Sequence, residues 1–403
     1  MFVPIFVEVS VRAFSRVVAT SVLAVSLPLL APVAAAQQVH RLDDGLARTP
    51  PMGWNSWNKF GCDVNESLIK GIADAMVTSG MRDAGYRYIV IDDCWQVYRD
   101  TSGTIVADPQ RFPDGMKALA DYVHSKGLKF GLYTDAGTNT CQGRPGTLHH
   151  EQQDARTYAA WGVDYVKEDW CNSRGLSAPT QYRLFHEALV ATGRPIVLSI
   201  CEWGSNAPWN WGPGIGHLWR TTGDIEDTWT SMLRNADLDA MHQAVAGPGG
   251  WNDPDMLEVG NGGMTDEEYR AHFSLWAILA APLIAGNDLR TMSAATRDLL
   301  TNREVIAVDQ DSLGVQGWLA EQVKPGEQVW VKPLADGAKA VLLLNRGDST
   351  AEIRADWSAI GLAPRARARV RDLWAHANRG AFTGGYAAPV PSHAVVMVTV
   401  KAD

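Results

Sequence analysis

The sequence predicts an α/β fold, a (β/α)8 TIM barrel followed by a C-terminal antiparallel β-sandwich. Three observations carry that prediction. Seven short apolar runs each end in an acidic residue, and helical patterns separate most neighbouring runs. After about residue 313 the helical period gives way to short alternating runs. The 403 residues accommodate a barrel of about 250 plus a smaller domain.

The first element is an export signal. Arg12 and Arg16 precede an uncharged stretch, Val17 to Ala36, that ends in Ala34-Ala35-Ala36. A positive flank, an apolar middle and a small-residue cleavage site mark a secretory signal peptide. The competing reading is an uncleaved anchor, since about 20 apolar residues can span a bilayer; Pro28, Pro32 and the alanine triplet favour cleavage. The expected layout is therefore a signal peptide at 1–36, a barrel at 37–313 and a sandwich at 314–403. The mature chain is expected to be secreted or periplasmic, with no stable membrane insertion. Residues 37–50 read as an exposed leader.

Pro51–Trp57 supplies the first barrel strand, and the acidic-ended runs follow: Tyr88–Asp93, Phe130–Asp135, Tyr165–Asp169, Ile196–Glu202, Leu218–Asp224, Trp251–Asp255 and Leu283–Asp288. Helical patterns lie between them at 115–126, 151–161, 181–191 and 231–246. Thr265 with Glu268 fits a capping box, and its apolar continuation, Phe273 to Ala281, should lie on the barrel. Strand-then-helix units imply a parallel sheet, and eight of them imply closure. Strand-like runs at 329–332, 339–344, 352–354, 367–370 and 395–400 then make the sandwich. The basic run Arg365-Ala-Arg-Ala-Arg369 reads as one solvated strand face.

The bulk properties narrow the function. A net charge of −9 argues against nucleic acid, because phosphate binding needs a basic face. GxGxxG, P-loop and GxSxG motifs are missing, so no cofactor is expected. Sixteen tryptophans offer flat faces for sugar rings, though most will fill the core. Adjacent Asp92 and Asp93 could bind a divalent metal or clamp vicinal hydroxyls. A metal needs more converging ligands, none of which is evident, and Asp253-Pro-Asp255 is only a fragment of a calcium loop. No metal is expected.

Two segments could carry acid and nucleophile chemistry. In Tyr165–Cys171, strand alternation points Lys167 and Asp169 into the mouth together, and a nearby ammonium favours an ionised carboxylate. A plain structural ion pair is an equal reading of those residues. In Leu218–Thr228, Arg220 stands with Asp224, Glu226 and Asp227. Capping of the next helix is the competing role there; Asp227 is expected to do that, leaving Asp224 as the acid.

These residues recur as a set. Met52-Gly-Trp-Asn-Ser-Trp57, Ile91-Asp-Asp-Cys-Trp95, Tyr165-Val-Lys-Glu-Asp-Trp-Cys171, Cys201-Glu-Trp203, Trp219-Arg-Thr-Thr-Gly-Asp224 and Gly250-Trp-Asn-Asp-Pro-Asp-Met256 resemble the α-galactosidases (melibiases) of glycoside hydrolase family 27. The match runs in order from Pro51 to Gly317. It implies a barrel plus sandwich, and retaining hydrolysis of terminal α-galactosides by two aspartates whose carboxyl groups lie about 5–5.5 Å apart. It implies Asp169 as nucleophile and Asp224 as acid/base, the latter protonated at mildly acidic pH. The implied partner is an α-galactoside oligosaccharide or polysaccharide.

The resemblance also implies a sugar pocket. Asp92 and Asp93 would hold the C4 and C6 hydroxyls, Lys167 the C3 and C4 hydroxyls, and Arg220 with Asp224 the C2 side. Trp57 would lie under the ring, with Tyr133, Cys141, Asp255 and Met256 in the wall. Cys201, Glu202 and Trp203 would line the C2 side, where a bulky indole favours galactose over its N-acetylamino analogue. Related pyranosidases, for N-acetylgalactosamine or β-L-arabinopyranose, are the alternative. The family pattern pairs Cys62 with Cys94 and Cys141 with Cys171, leaving Cys201 free. Glu168 departs from it, standing where relatives carry an aromatic residue, and alternation should turn it towards the helices.

Overall fold

Eight short strands form one parallel sheet: β1 (Met52–Asn55), β2 (Tyr88–Ile91), β3 (Lys129–Asp135), β4 (Tyr165–Asp169), β5 (Val197–Cys201), β6 (Leu218–Arg220), β7 (Trp251–Asp253) and β8 (Leu283–Ala285). The computed structural model describes Ser10 and residues 40–403; the expected signal peptide at 1–36 lies outside the described residues. The strand order is β8-β1-β2-β3-β4-β5-β6-β7. The ring closes without a β7–β8 ladder. Asp255 takes a left-handed turn at φ 83°, and Leu257 beyond it bridges to Ala285 in parallel. Its amide donates to the Ile284 carbonyl at 2.8 Å.

Alternation along the strands fills the barrel. Tyr88, Val90, Tyr165, Val197, Leu218 and Trp251 point inward and form one buried cluster. The Tyr88 and Tyr165 rings pack at 5.3 Å between centroids. Gly53 makes room for them, since a Cβ there would stand 2.5 Å from the Tyr88 carbonyl oxygen. The outward faces carry Ile89, Ile91, Phe130, Leu132, Val166 and Leu198 against the helices.

Most helices sit where their patterns place them. Glu151–Trp161 matches its expected span, and Gly115–Ser125 and Ala178–Ala191 differ by one and three residues at an end. The expected 231–246 helix is Trp229–Ala240, because Thr228 caps it through the Ser231 amide and the chain turns at Met241. The Thr265 capping box is present, with both reciprocal bonds. Its helix, Asp266–Leu279, is buried from Ala271 through Leu279 on every face. Such a helix needs apolar neighbours all round, and it has them: the barrel on one side and the sandwich on the other. Trp374 of the sandwich donates from Nε1 to Ser274 Oγ at 2.9 Å.

The sandwich has eight strands: β9 (Trp318–Lys324), β10 (Glu327–Pro333), β11 (Lys339–Asn345), β12 (Ala351–Asp356), β13 (Arg367–Asp372), β14 (Ala377–Thr383), β15 (Gly385–Val390) and β16 (Val395–Ala402). Sequence reading found five and missed β9, β14 and β15, whose faces are largely exposed or glycine- and proline-bearing. One sheet runs β9-β10-β11-β16-β13-β14, and β12 pairs with β15 opposite it. Period-two alternation divides the large sheet between two cores. Val329, Val331, Val341 and Leu343 face the sandwich interior, whereas Trp330, Leu342 and Leu344 join the barrel cluster. Arg367 and Arg369 are exposed between buried Ala368 and Val370, as the basic run predicted.

The leader is not simply exposed. The Trp251 indole donates to the Ala47 carbonyl at 2.7 Å, Asp44 meets His217 at 3.0 Å, and Arg41 donates to the Val245 carbonyl at 3.0 Å. These contacts fall at or before the starts of β6 and β7, opposite the acidic strand ends. Cys62–Cys94 and Cys141–Cys171 are bridged, and Cys201 is free and buried. Among the described residues no helix is long and apolar enough to cross a membrane.

Gly53→Ala should destabilise the protein by about 1–3 kcal/mol, the usual cost of forcing an extra methyl into a packed core. Urea unfolding monitored by tryptophan fluorescence measures it; an unchanged midpoint would mean that the inner layer can relax.

Candidate active site

The strands stop short of most of the acids. Asp135, Asp169 and Asp253 are strand residues; Asp92, Asp93, Glu202, Asp224 and Asp255 lie in the loops beyond. A cavity of about 680 Å³ opens there, lined by both candidate catalytic aspartates, Asp169 and Asp224. Trp57, Asp92, Asp93, Tyr133, Cys141 and Lys167 share its wall, as do Trp203, Arg220, Asp255 and Met256. That is nearly the whole pocket expected from sequence.

A half-buried lysine and a buried arginine organise the acids. Lys167 Nζ donates to Asp92 Oδ2 at 2.8 Å, an oxygen that also accepts from Asn55 Nδ2 at 2.8 Å. The expected Lys167–Asp169 pair is thus a Lys167–Asp92 pair, with Asp169 as a more distant charge. Burial opposes the ammonium, but Asp92, Cys201 and Asp169 outweigh it and keep Lys167 well above its ordinary pKa. Arg220 spans Asp224 at 3.0 Å and Asp255 at 3.1 Å. Burial lifts the Asp255 carboxyl, and Arg220 offsets only part of that rise. Asp93 accepts from the Cys94 amide at 2.6 Å and the Gln142 amide at 2.9 Å. The second of these ties Asp93 to the loop that carries Cys141.

The candidate nucleophile and acid sit in contrasting surroundings. Asp169 is 6% exposed; it accepts from the Tyr133 hydroxyl at 3.0 Å and the Trp170 amide at 2.9 Å. Burial raises its pKa to about 6 despite the pull of Lys167. The Asp224 side chain is 70% exposed. Partial burial pushes its carboxyl up, but Arg220 and then Lys167 prevail and hold it below the ordinary carboxylate range. This reverses the expectation that Asp224 is the protonated member. Asp169 is thus the stronger base of the two, because burial raises it while the guanidinium lies against Asp224.

Several other expectations need correction. Glu202 is not in the cavity wall. Alternation turns Cys201 inward and Glu202 outward, where it is fully buried and accepts from the Asn206 amide and side chain at 2.6 and 2.7 Å. Cys201 lies under Arg220, 3.6 Å from Nη1, and not in the main cavity wall. Asp227 does not cap the following helix; Thr228 does. Asp227 instead accepts from the Gly263 amide at 2.6 Å and the Tyr269 hydroxyl at 2.9 Å. Glu168 points away from the cavity, as alternation predicted. It is buried, its Oε2 has no partner, and burial, followed by Asp135, pushes its carboxyl well above the usual range.

Sequence reading passed over one buried acid in the wall. Glu258 is 4% exposed, and its carboxyl accepts from Asn58 Nδ2 and from Asn261 Nδ2. Burial raises it to about 7. It follows an aspartate-rich strand end by three residues, and only the return of the chain past Leu257 brings it to the mouth. Asp135, Cys141, Asp169 and Cys171 converge within 4.8 Å as a metal site would. The two sulfurs are joined to each other and offer no thiolate.

The arrangement matches known proteins. Residues 49–311 fit the family model described as alpha galactosidase A, and residues 324–400 fit the alpha galactosidase C-terminal beta sandwich domain. The chain is 54% identical over 357 residues to an alpha-galactosidase of Cyamopsis tetragonoloba, covering 88% of this chain and 87% of the relative. An alpha-N-acetylgalactosaminidase of Gallus gallus stands at 45% over 330 residues, covering 76% of this chain and 81% of the relative. The crystal structure of alpha-galactosidase I from Mortierella vinacea superposes with a TM-score of 0.85 at 40% identity, covering 89% of this chain and 98% of that one.

Asp169→Asn tests the electrostatic reading. A folded-state pKa raised from 3.8 to about 6 means that ionising Asp169 costs stability. That contribution is fully present below pH about 4 and is lost as pH rises through about 6. Asparagine keeps an oxygen for the Trp170 amide without the charge. Its gain in melting temperature should therefore be larger at pH 8 than at pH 4; an equal gain at both would refute the shift.

Proposed function

Because the chain belongs to the α-galactosidase (melibiase) family of glycoside hydrolase family 27, we propose that Asp169 is the nucleophile and Asp224 the acid/base of its reaction. The protein is a retaining, exo-acting α-galactosidase that removes terminal α-D-galactosyl residues by double displacement. One observation carries the assignment of roles: a buried aspartate and an exposed one, two strands apart, face a single cavity whose wall also carries Lys167, Asp92 and Arg220.

In the first step Asp169 attacks the anomeric carbon while Asp224 protonates the glycosidic oxygen. The aglycone departs and leaves a galactosyl ester on Asp169. Asp224, now ionised, takes a proton from water, which cleaves the ester and releases α-galactose. Tyr133 and the Trp170 amide, bonded to the Asp169 oxygens, orient the attacking carboxylate. The proton must reside on Asp224 at the moment of bond cleavage. Substrate binding drives that transfer: the sugar covers the exposed carboxyl, and its C2 hydroxyl competes for Arg220.

Asp92 and Asp93 bind the C4 and C6 hydroxyls, with Lys167 on C3 and C4, Trp57 under the ring, and Tyr133, Cys141, Asp255 and Met256 around it. The Trp203 indole in the wall supports a plain C2 hydroxyl over an N-acetyl group. Glu202 is left out of this set on the geometry above, and Cys201 acts through Arg220. We also read residues 1–36 as a cleaved signal, so that the enzyme works in the periplasm or outside the cell; the two disulfides support an oxidising location. The division at 313/314 is supported by the two family matches, which end at 311 and resume at 324.

Hydrolysis of p-nitrophenyl α-galactopyranoside, followed by proton NMR, should give α-galactose before any β anomer, with little release from the N-acetylgalactosaminide. β-Galactose first would overturn the assigned roles. The pair is active with one proton, whichever carboxyl carries it at rest. Since the higher value is about 6, kcat/KM should fall as pH rises through about 6. A rise across that range would show that full ionisation is the active state.

A further inference from the structure

The basic run of the sandwich is more than a solvated strand face. β13 places Arg367, Arg369 and Arg371 in one row, every second residue on the same side. Arg369 stands directly opposite Ala381 of β14 and Lys401 of β16, and Arg371 stands opposite Asn378 and Thr399. This is the side of the large sheet that meets the barrel, because Ala340, opposite Thr399, belongs to the barrel cluster. Arg371 marks where that cover ends. It forks onto Glu304 of the barrel helix Arg303–Asp309 through two contacts of 2.7 Å. Beyond it the sheet face stays open and forms a groove of about 610 Å³. The groove shares no lining residue with the cavity at the barrel mouth.

Like charges directly opposite each other on neighbouring strands destabilise a sheet. Arg369 against Lys401 is such a pair, and Arg367 adds to it. Their counter-charges are few. Glu304 is taken by Arg371, and Asp336 by Lys401 at 2.8 Å. Arg367 and Arg369 are left to share one carboxylate, that of Asp403. Its two oxygens lie 3.2 Å from Arg367 Nη1 and 3.2 Å from Arg369 Nε. Four cations thus meet three acids here, on a chain whose net charge is −9. Arg367 and Arg369 are exposed, and exposed pairs of this kind are worth little. A second carboxylate therefore displaces Asp403 at small cost, and Asp403 shows that the two arginines accept one.

The rest of the lining selects what carries that carboxylate. Gly380 and Ala381 keep the floor low, and a Cβ on Gly380 would meet no atom within 4 Å. Asn378 and Thr399 add an amide and a hydroxyl. Among the described residues the lining holds no aromatic side chain, so it offers nothing to stack on a nucleic-acid base. Its apolar members are Val370 and Ala381, which make no pocket for the large anchors that fix a peptide. A chain of hydroxyls and carboxylates fits it better than either. We propose that this groove binds the uronate-bearing chain of an acidic polysaccharide, with Arg367 and Arg369 on a carboxylate and Asn378, Thr399 and Lys401 on neighbouring oxygens. The contact is non-catalytic and holds the enzyme on an anionic matrix while the barrel mouth stays free. It stands apart from the roles of Asp169 and Asp224, because the two spaces share no residue.

The test is calorimetric titration of the full chain at low salt with a decamer of galacturonate, beside mannopentaose, poly-glutamate and single-stranded DNA of matched charge. The decamer should bind and the neutral sugar should not, and about 0.5 M salt should remove the binding. Replacing both arginines, Arg367→Gln with Arg369→Gln, should weaken it about tenfold or more, the worth of one charged hydrogen bond. Ala381→Glu gives Arg369 a cross-strand partner and so favours the sheet, yet it should weaken binding equally. Asp403→Asn should instead tighten binding about threefold, because it removes the competing carboxylate. Hydrolysis of p-nitrophenyl α-galactopyranoside should be unchanged in every variant. Failure of the decamer to bind would overturn the groove, and so would binding that the arginine pair and Ala381→Glu both leave intact. Equal or tighter binding of poly-glutamate or DNA would overturn the polysaccharide as occupant.

Discussion

Two cations, one half-buried and one buried, make this barrel mouth possible. Lys167 and Arg220 lie among Asp92, Asp93, Asp169, Asp224 and Asp255, an array that would repel itself and protonate without them. Each is fixed from below by its strand and from the side by an acid: Lys167 by Asp92 and Arg220 by Asp255. The cost of burying an ammonium or guanidinium is met by charge-assisted hydrogen bonds to partners already in place. Acids and cations alike face the cavity because strand residues alternate and because the ring closes at Leu257, beyond the turn at Asp255. The remaining architecture holds that ring. The Asp266–Leu279 helix wedges between barrel and sandwich, and the leader crosses the opposite end.

Site geometry and site chemistry are in tension. In the proposed reaction, the carboxyl that attacks is the one that burial favours protonating, and the carboxyl that donates is the one that Arg220 favours ionising. A site that bound only its resting state would settle this in favour of the resting state. Here the exposed position of Asp224 leaves room for substrate to change the balance on arrival. The same burial that makes Asp169 costly to ionise removes the water that would blunt its attack.

Much of this could be read from the chain because two regularities survive in one dimension. A period of two fixes which residues share a direction, so Lys167 with Asp169, and Glu168 away from both, follow without coordinates. A period of 3.6 with a capping pair located the helix after Thr265. What could not be read depended on partners distant in sequence. Asp227 has the chemistry of a cap, but the amide of Gly263 and the hydroxyl of Tyr269 recruit it instead. Glu202 sits at a strand end like its neighbours and is turned outward by one step of the pleat. Glu258 becomes part of the mouth only because the chain doubles back after Asp255. The proton preference of Asp169 and Asp224 depends on how deeply Asp169 is buried and on the guanidinium against Asp224, which spacing does not encode.

The disulfide between Cys141 and Cys171 links the wall of the sugar pocket to the strand that ends in Asp169, and the residue after Cys141 donates its amide to Asp93. On the proposed assignment, the wall that meets the substrate is therefore completed by an oxidation as well as by folding. In a reducing compartment Asp169 would keep its place on the strand while the Cys141 loop lost its covalent tie to it. The redox history of the polypeptide thus becomes part of how firmly one wall of the cavity is held.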